Sequence, residues 1–265
     1  MSQLILVGAD PECFVKQHGV FVSAHNLIRG DKKNPQPVKN GAVQVDGMAL
    51  EFNIDPAATE DQFCINIQSV YDQLKQMVPA YEVVAVPVAD FSLEYLKAQP
   101  KEALELGCDP DFNAWANAIN PRPNGNVPMR TASGHVHIGF TDGAVVDSEE
   151  HIDRCNAVAR QMDFYLGLPS LTYDKEIRRR EMYGKAGACR YKPYGVEYRT
   201  LSNAWLSSKE RMAWVFRAVQ AGMQQLIAGK SLDDKYGDIQ AIINTSDLKE
   251  ANKIIKAEGL EIPNA

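Results

Sequence analysis

Three stretches of this chain set two reactive polar groups two residues apart: Asp10 with Glu12, His135 with His137, and Glu197 with Arg199. Each pair lies in or beside a run of strand-forming residues. The side-chain period of a strand is two, so each pair faces one side of its sheet. Glu51, within Ala49-Leu50-Glu51-Phe52-Asn53-Ile54, puts a further carboxylate inside an apolar run, with Asn53 on its side. A carboxylate among β-formers costs free energy unless it is paired or holds a cation. Brought together, these strands make a face of carboxylates, imidazoles and a guanidinium, which is the chemistry of a metal and phosphate site. Taken singly, each pair has a plainer reading. Asp10-Pro11-Glu12 is a strand end, the histidines face solvent, and Glu197 with Arg199 is a surface ladder pair. The geometry they share favours a common site.

A basic segment follows. From Arg178 to Arg199 there are seven Lys or Arg against Glu181 and Glu197, a local net charge of +5. Within it, Tyr183-Gly184-Lys185-Ala186-Gly187-Ala188-Cys189-Arg190 carries glycines that let backbone approach an anion closely. The Gly-x4-Gly-Lys-Ser/Thr spacing of a P-loop is missing. The segment reads either as a solvated basic loop or as a polyphosphate clamp. In the clamp, Arg180, Arg190 and Arg199 supply bidentate contacts and Lys185 a point charge.

The elements that must position these groups are legible in outline. Leu4–Val7 is a strand, and Val15–Val22 folds as a hairpin around His18-Gly19. Positions 30–40, charged and with two prolines, read as a loop. Val43–Ile54 is two strand pieces around a turn or bulge at Asp46-Gly47. Thr59 with Gln62 caps a helix to about Met77, with Phe63, Ile67, Val70 and Leu74 on its apolar face. Tyr81–Val88, Thr131–Phe140 and Tyr194–Leu201 are further strands. Helices are expected from Ser148 to Leu166, from Ser207 to Ile227 and over Leu248–Ala257. Positions 107–130 form a loop too long to be a passive connection; its Cys108–Trp115 part either covers the acceptor site or is ordered surface. The order of elements predicts one α+β unit.

Composition bounds the function. With 265 residues, 45% hydrophobic and 23% charged, the chain has ordinary globular values. It can bury roughly 70–75% of its unfolded surface without disulfides. The net charge of −6, which is −11 outside the basic segment, argues against nucleic acid and anionic membranes as partners. No apolar run approaches the ~18–20 residues that span a bilayer, and the N-terminus lacks a signal peptide's basic region. Five cysteines without Cys-x-x-Cys spacing fit reduced thiols in a cytoplasm.

Five motifs then stand in order: Gly8-Ala9-Asp10-Pro11-Glu12; Val43-Gln44-Val45-Asp46-Gly47 with Leu50-Glu51-Phe52-Asn53; Gly134-His135-Val136-His137-Ile138-Gly139; Tyr183-Gly184-Lys185-Ala186-Gly187; and Pro193-Tyr194-Gly195-Val196-Glu197-Tyr198-Arg199. Together they resemble the phage-type COOH·NH2 ligase (type 2) family of the carboxylate–amine ligase superfamily, to which glutamate–cysteine ligases and glutamine synthetase belong. The resemblance implies a glutamine synthetase-like, curved, mainly antiparallel sheet with helices on its outer face. It implies ATP as substrate and Mg²⁺ or Mn²⁺ held by Asp10, Glu12, Glu51 and Glu197 with His135. Catalysis would involve Arg199, Glu197, His135 and His137, with Arg199 on the transferred phosphate. Two departures stand out: Asp rather than Glu at position 10, which shortens that ligand's reach, and Ser133 where the superfamily shows a second glycine.

On this reading residues 1–227 form the catalytic domain and 228–265 a C-terminal helical extension. The substrates are amino acids or peptides, the location is the cytoplasm (of the host, for a phage-encoded chain), and a homodimer is left open. The group that deprotonates the amine is unassigned. Two other readings remain. One is a His-x-His metallohydrolase on zinc, for which further histidines are scarce. The other is a non-catalytic or structural phage protein that keeps the fold, against which the intact carboxylate set argues.

Overall fold

The computed structural model of the chain describes residues 4–104, 111–121 and 127–264. Cys108 and the expected loop at 107–110 and 122–126 lie outside the described residues. In chain order the strands are β1 (Leu6–Gln17), β2 (Val20–Val22), β3 (Gln36–Val38), β4 (Gly41–Asp46), β5 (Ala49–Ile54), β6 (Glu82–Val84), β7 (Val88–Asp90), β8 (Phe112–Asn113), β9 (Ala118–Ile119), β10 (Met129–Thr131), β11 (Gly134–Gly139), β12 (Ala188–Lys192) and β13 (Gly195–Tyr198). The helices are α1 (Glu60–Met77), α2 (Leu93–Lys97), α3 (Lys101–Leu104), α4 (Glu149–Met162), α5 (Leu168–Ser170), α6 (Ile177–Met182), α7 (Lys209–Ile227), α8 (Asp233–Tyr236), α9 (Gln240–Asn244) and α10 (Leu248–Glu258).

One sheet runs β3-β4-β5-β1-β11-β13-β12-β8-β9, with β2 and β6 paired to β1; β7 and β10 form a separate ribbon. The pairings are antiparallel. The fold is therefore α+β on a mainly antiparallel sheet, as expected. The N-terminal strand is longer than the aliphatic run at its start, because Pro11 sits in β1 with Gly134 as its partner. The β1–β2 hairpin leaves His18 and Gly19 as a two-residue turn, both at positive φ (51° and 80°), as a type I′ turn requires. Asp46-Gly47 is a hairpin turn and not a bulge, since β4 and β5 stay in register from Gly41↔Ile54 to Asp46↔Ala49.

Two expectations change. The presumed loop at 30–40 contains β3, an edge strand that tolerates Pro37 because an edge residue can do without a ladder N–H. Tyr81–Val88 is broken into two short strands serving different ribbons, β6 on β1 and β7 on β10.

The long helices α1, α4 and α7 pack together on one face of the sheet, while α2 and α3 pack by Phe14 of β1. Thr59 Oγ1 accepts from Gln62 N (3.3 Å) to start α1, whose Phe63, Ile67, Val70 and Leu74 are buried against β4 and β5. Ser148 caps α4, but the α-helix ends at Met162 and continues as a π-helical turn, Asp163–Gly167. That turn aims Asp163 inward at β13, where Tyr198 OH donates to it at 2.7 Å. The core between sheet and helices takes Val7, Leu50, Phe52, Val136, Ile138, Val196 and Tyr198 from the strands, with Trp205 and Trp214 from beyond them.

The C-terminal segment belongs to a second core, where Ile243, Ile254 and Ile255 pack with Phe164, Leu168 and Leu171. Trp214 Nε1 donates to Glu261 O at 3.0 Å. Among the described residues, no helix is long and apolar enough to cross a membrane, and Cys13, Cys64, Cys155 and Cys189 are free thiols.

Candidate functional site

The antiparallel registers decide what meets what. Glu51 lies opposite Glu12, Asp10 opposite His135, His137 opposite Glu197, and Glu197 opposite Arg190. With a period of two, Gln44, Glu51, Asp10, Glu12, His135, His137, Glu197, Arg199, Arg190 and Lys192 all project from the face away from the long helices. The residues between them fill the core. Along the strand order the strip passes from acidic on β4, β5 and β1, through the imidazoles of β11, to basic on β13 and β12.

Two groups of potential cation ligands stand on the acidic half. Asp10, His137 and Glu197 form one, and Glu12, Asp46 and Glu51 the other; within each, the ligand atoms lie within 4.8 Å of one another. Asp10 Oδ1 is 3.1 Å from His137 Nε2 and 3.4 Å from His135 Nδ1, so aspartate at this position reaches the site after all. Glu12 Oε2 accepts from Ser133 N at 2.7 Å, and Gln44 Nε2 donates to Glu51 Oε2 at 2.7 Å. Asp46 also pairs with Lys32 at 2.8 Å.

On the basic half, Glu197 accepts from Arg199 Nη1 and lies 2.9 Å from Lys192 Nζ and 3.7 Å from Arg190 Nη1. Arg199 is held on a second edge by Asp111, its Nε 2.5 Å from Oδ1, and Arg199 Nη1 is 3.1 Å from His135 Nδ1. Arg190 reaches the same Asp111 oxygen at 3.9 Å.

Burial penalises charge on every group here, and the neighbours set the outcome. Against burial, His137 and His135 hold Asp10 well below the usual carboxylate range. Burial and Asp10 also push Glu197 upward, but Arg199, His135 and His137 bring it down to about 2. In the second group burial and the neighbouring carboxylates prevail. Burial and Asp46 push Glu12 up to about 7, and burial with Asp10, Asp46 and Glu12 raises Glu51 well above its ordinary value. Burial and Arg199 lower His135; His137 is raised, because Asp10 and Glu197 outweigh its burial.

The donor set fits a divalent cation. Asp10 Oδ1 and His137 Nε2 are buried without a hydrogen-bond partner although they face each other. Carboxylate oxygens with one imidazole suit a hard ion of the Mg²⁺ or Mn²⁺ type. The groups of potential ligands differ from the expected set in their members. His137 rather than His135 joins Asp10 and Glu197, since His135 Nδ1 meets the Arg199 guanidinium. Asp46 joins Glu12 and Glu51, a ligand the motif reading did not include.

The expected clamp is only partly assembled. Arg180 is 2% exposed and bound to Asp174 Oδ2 (3.3 Å) and Ser246 Oγ (3.1 Å), so it secures the C-terminal segment. Arg179 is buried too, donating to Thr200 O (2.9 Å), Leu201 O (2.7 Å) and Ser133 Oγ (3.2 Å). That last contact gives Ser133, the residue standing where a glycine was expected, a use for its side chain. Arg178 pairs outside with Glu176 and Asp90. Lys185 is half-buried, and its carbonyl accepts from Thr200 Oγ1 at 3.0 Å. Arg190, Lys192 and Arg199 face the strip around Glu197.

Beside the acidic half opens a cavity of about 450 Å³. Its lining combines the polar Asp10, Glu51, Gln44, Asn53 and His137 with Leu6, Ile54, Pro56 and Tyr194. Lys192 and Asp46 continue the two-residue alternation of Arg190 and Gln44, a signal the sequence carries. Asp111 and Tyr194 carry no such signal, since each arrives from a loop or turn.

Residues 114–236 match the family model described as Phage phiEco32-like COOH.NH2 ligase-type 2. Over that span the match agrees with the carboxylate–amine ligase resemblance read from the motifs. The matched ligase span contains His135, His137, Arg190, Lys192, Glu197 and Arg199, while Asp10, Glu12, Asp46 and Glu51 precede it. No curated protein matches the chain. Among solved structures, a glutamine synthase homolog aligns at 10% identity and a TM-score of 0.42, over 95% of this chain and 62% of its own. A bifunctional glutathione synthetase from Pasteurella multocida aligns at 11% identity and 0.46, over 98% and 45%. This chain thus spans less than two thirds of either protein's length.

Proposed function

We propose that this chain is an ATP-dependent carboxylate–amine ligase. It joins a carboxylate to an amine of amino-acid or peptide type by way of an acyl phosphate, with Mg²⁺ or Mn²⁺ at the acidic half of the strip. The observation that carries this reading is a single sheet face on which two carboxylate groups meet three cations across Glu197, beside a cavity of substrate size. Forming an amide from a carboxylate in water is uphill. Activation by phosphoryl transfer asks a protein for charge neutralisation and positioning more than for covalent chemistry.

Asp10, His137 and Glu197 would hold one ion, and Glu12, Asp46 and Glu51 a second. Bound there, Mg²⁺ supplies positive charge to phosphate oxygens and aligns them. The rest falls to the chain. Glu197 and Asp111 grip the Arg199 guanidinium on two edges, so its direction is set before any ligand arrives. Arg190 and Lys192 add charge on the same face, where a transferred phosphoryl group needs it. His135 orients Arg199 from its Nη1 edge. Small-molecule substrates, the absence of a nucleic-acid partner and a cytoplasmic location belong to the same reading.

The test is direct. Purified protein with ATP, Mg²⁺ and pools of amino acids or short peptides should release phosphate only when an amine and a carboxylate are both present. The amide product is identified by mass spectrometry. Failure to bind nucleotide, together with no phosphate from any pool, would sink the reading.

A further inference from the structure

Tyr194 stands at the turn between β12 and β13, where Lys192 lies opposite Gly195 and leaves only Pro193 and Tyr194 to make the connection. The turn is fixed from outside: Phe140 N and Thr141 N donate to Tyr194 O at 2.9 and 3.0 Å, and Thr141 Oγ1 donates to Pro193 O at 2.7 Å. From this anchored backbone the phenol reaches His137, with its oxygen against Nδ1. The other ring nitrogen, Nε2, lies 3.1 Å from Asp10 Oδ1, which is also 3.4 Å from His135 Nδ1.

We propose that Tyr194 is a positioning residue for His137, holding the ring so that the Nε2 lone pair is presented beside Asp10 and Glu197 to a divalent cation. The inference rests on the reading of those three residues as a cation site. An imidazole has one proton to place when neutral. Where Nδ1–H donates to the phenol oxygen, Nε2 keeps its lone pair for a cation beside Asp10 Oδ1. Outer partners of ligating histidines fix ring direction and tautomer in this way. Tyr194 also lines the cavity, so the same side chain borders both the cation group and the space for substrate.

Mn²⁺ titrated into the full chain, followed by electron paramagnetic resonance, tests this without turnover. Wild type should bind Mn²⁺ with a coordinated imidazole nitrogen signature that His137→Ala removes. Tyr194→Phe, which keeps the ring and should leave the thermal midpoint in place, should weaken that nitrogen-coordinated Mn²⁺ by about 10–100-fold. Unchanged affinity and an unchanged nitrogen signature in Tyr194→Phe would overturn the proposal and leave the cation site standing. Mn²⁺ bound by wild type without any nitrogen signature, or not bound at all, would remove the cation reading and the proposal together.

Discussion

Glu197 and Asp163 are both buried carboxyls on or against β13, and their surroundings send them opposite ways. Glu197, 1% exposed, is surrounded by Arg199, Lys192 and Arg190 and held down to about 2. Its stabilising share is present above the ordinary glutamate value and lost as pH falls toward about 2. Glu197→Gln leaves those cations short of a counter-charge, so it should cost about 3–5 kcal/mol in urea unfolding and flatten the acid limb of stability. Asp163 accepts from Trp115 Nε1 at 2.6 Å and Tyr198 OH at 2.7 Å, yet burial pushes it up to about 7. Between roughly pH 4 and 7 the folded state keeps a proton that the unfolded chain has released, so this group's contribution weakens as pH rises. The stability of Asp163→Asn relative to wild type should therefore improve by about 1–3 kcal/mol from pH 5 to pH 8. A difference that does not move with pH would show that Asp163 ionises normally. No residue-level signal marks Asp163 in the sequence, where it reads as one more helical position.

At the scale of elements, β12 and α6 show why the basic segment divides. In a strand Arg190 and Lys192 share a face, and the register of β12 on β13 turns that face to Glu197. In a helix, successive residues point about 100° apart. Arg178, Arg179 and Arg180 cannot act as one clamp, and they go to solvent, to the backbone at 199–201 and to Asp174 respectively. Arg179 is thus a strap that fixes the end of β13 just past the site. Arg179→Lys replaces a planar fork with a point charge and should leave carbonyls at Thr200 and Leu201 unsatisfied. The expected loss is about 2–3 kcal/mol, read as a Tm lower by roughly 5–10 °C. Elements with their own signals, such as α1 with its Thr59 cap or the His18-Gly19 hairpin, were legible in the sequence. β3 was not, because three residues around Pro37 become a strand only when β4 supplies the partner. The end of α4 was not either, since the π turn answers to what Asp163 meets on β13.

Across the whole molecule, the net charge of −6 conceals a separation that the sheet converts into a polar site with an acidic and a basic half. Glu12, Asp46 and Glu51 crowd one place, with Lys32 against Asp46, and burial and their mutual repulsion raise Glu12 and Glu51. A divalent ion that binds only the folded chain stabilises it by mass action, about 2.7 kcal/mol at a hundredfold excess over Kd. Calorimetry should show Tm rising with Mg²⁺ or Mn²⁺, and Asp46→Asn should reduce that gain. An Asp46→Asn response equal to wild type would take Asp46 out of the cation site. The sequence by itself determined the period-two pairs, the caps and the antiparallel α+β class, because these follow from local dihedral preferences and side-chain spacing. It also carried the family motifs in order. Only the tertiary structure decided that His137 lies with Asp10 and Glu197, that Asp46 lies with Glu12 and Glu51, that Arg180 is buried against Asp174, and that Asp111 and Tyr194 reach the strip. Those outcomes depend on strand register and on loops that return across the sheet. Register is set by burial of the opposite face, and loop paths by contacts distant in sequence, so neither is written in any local stretch of residues.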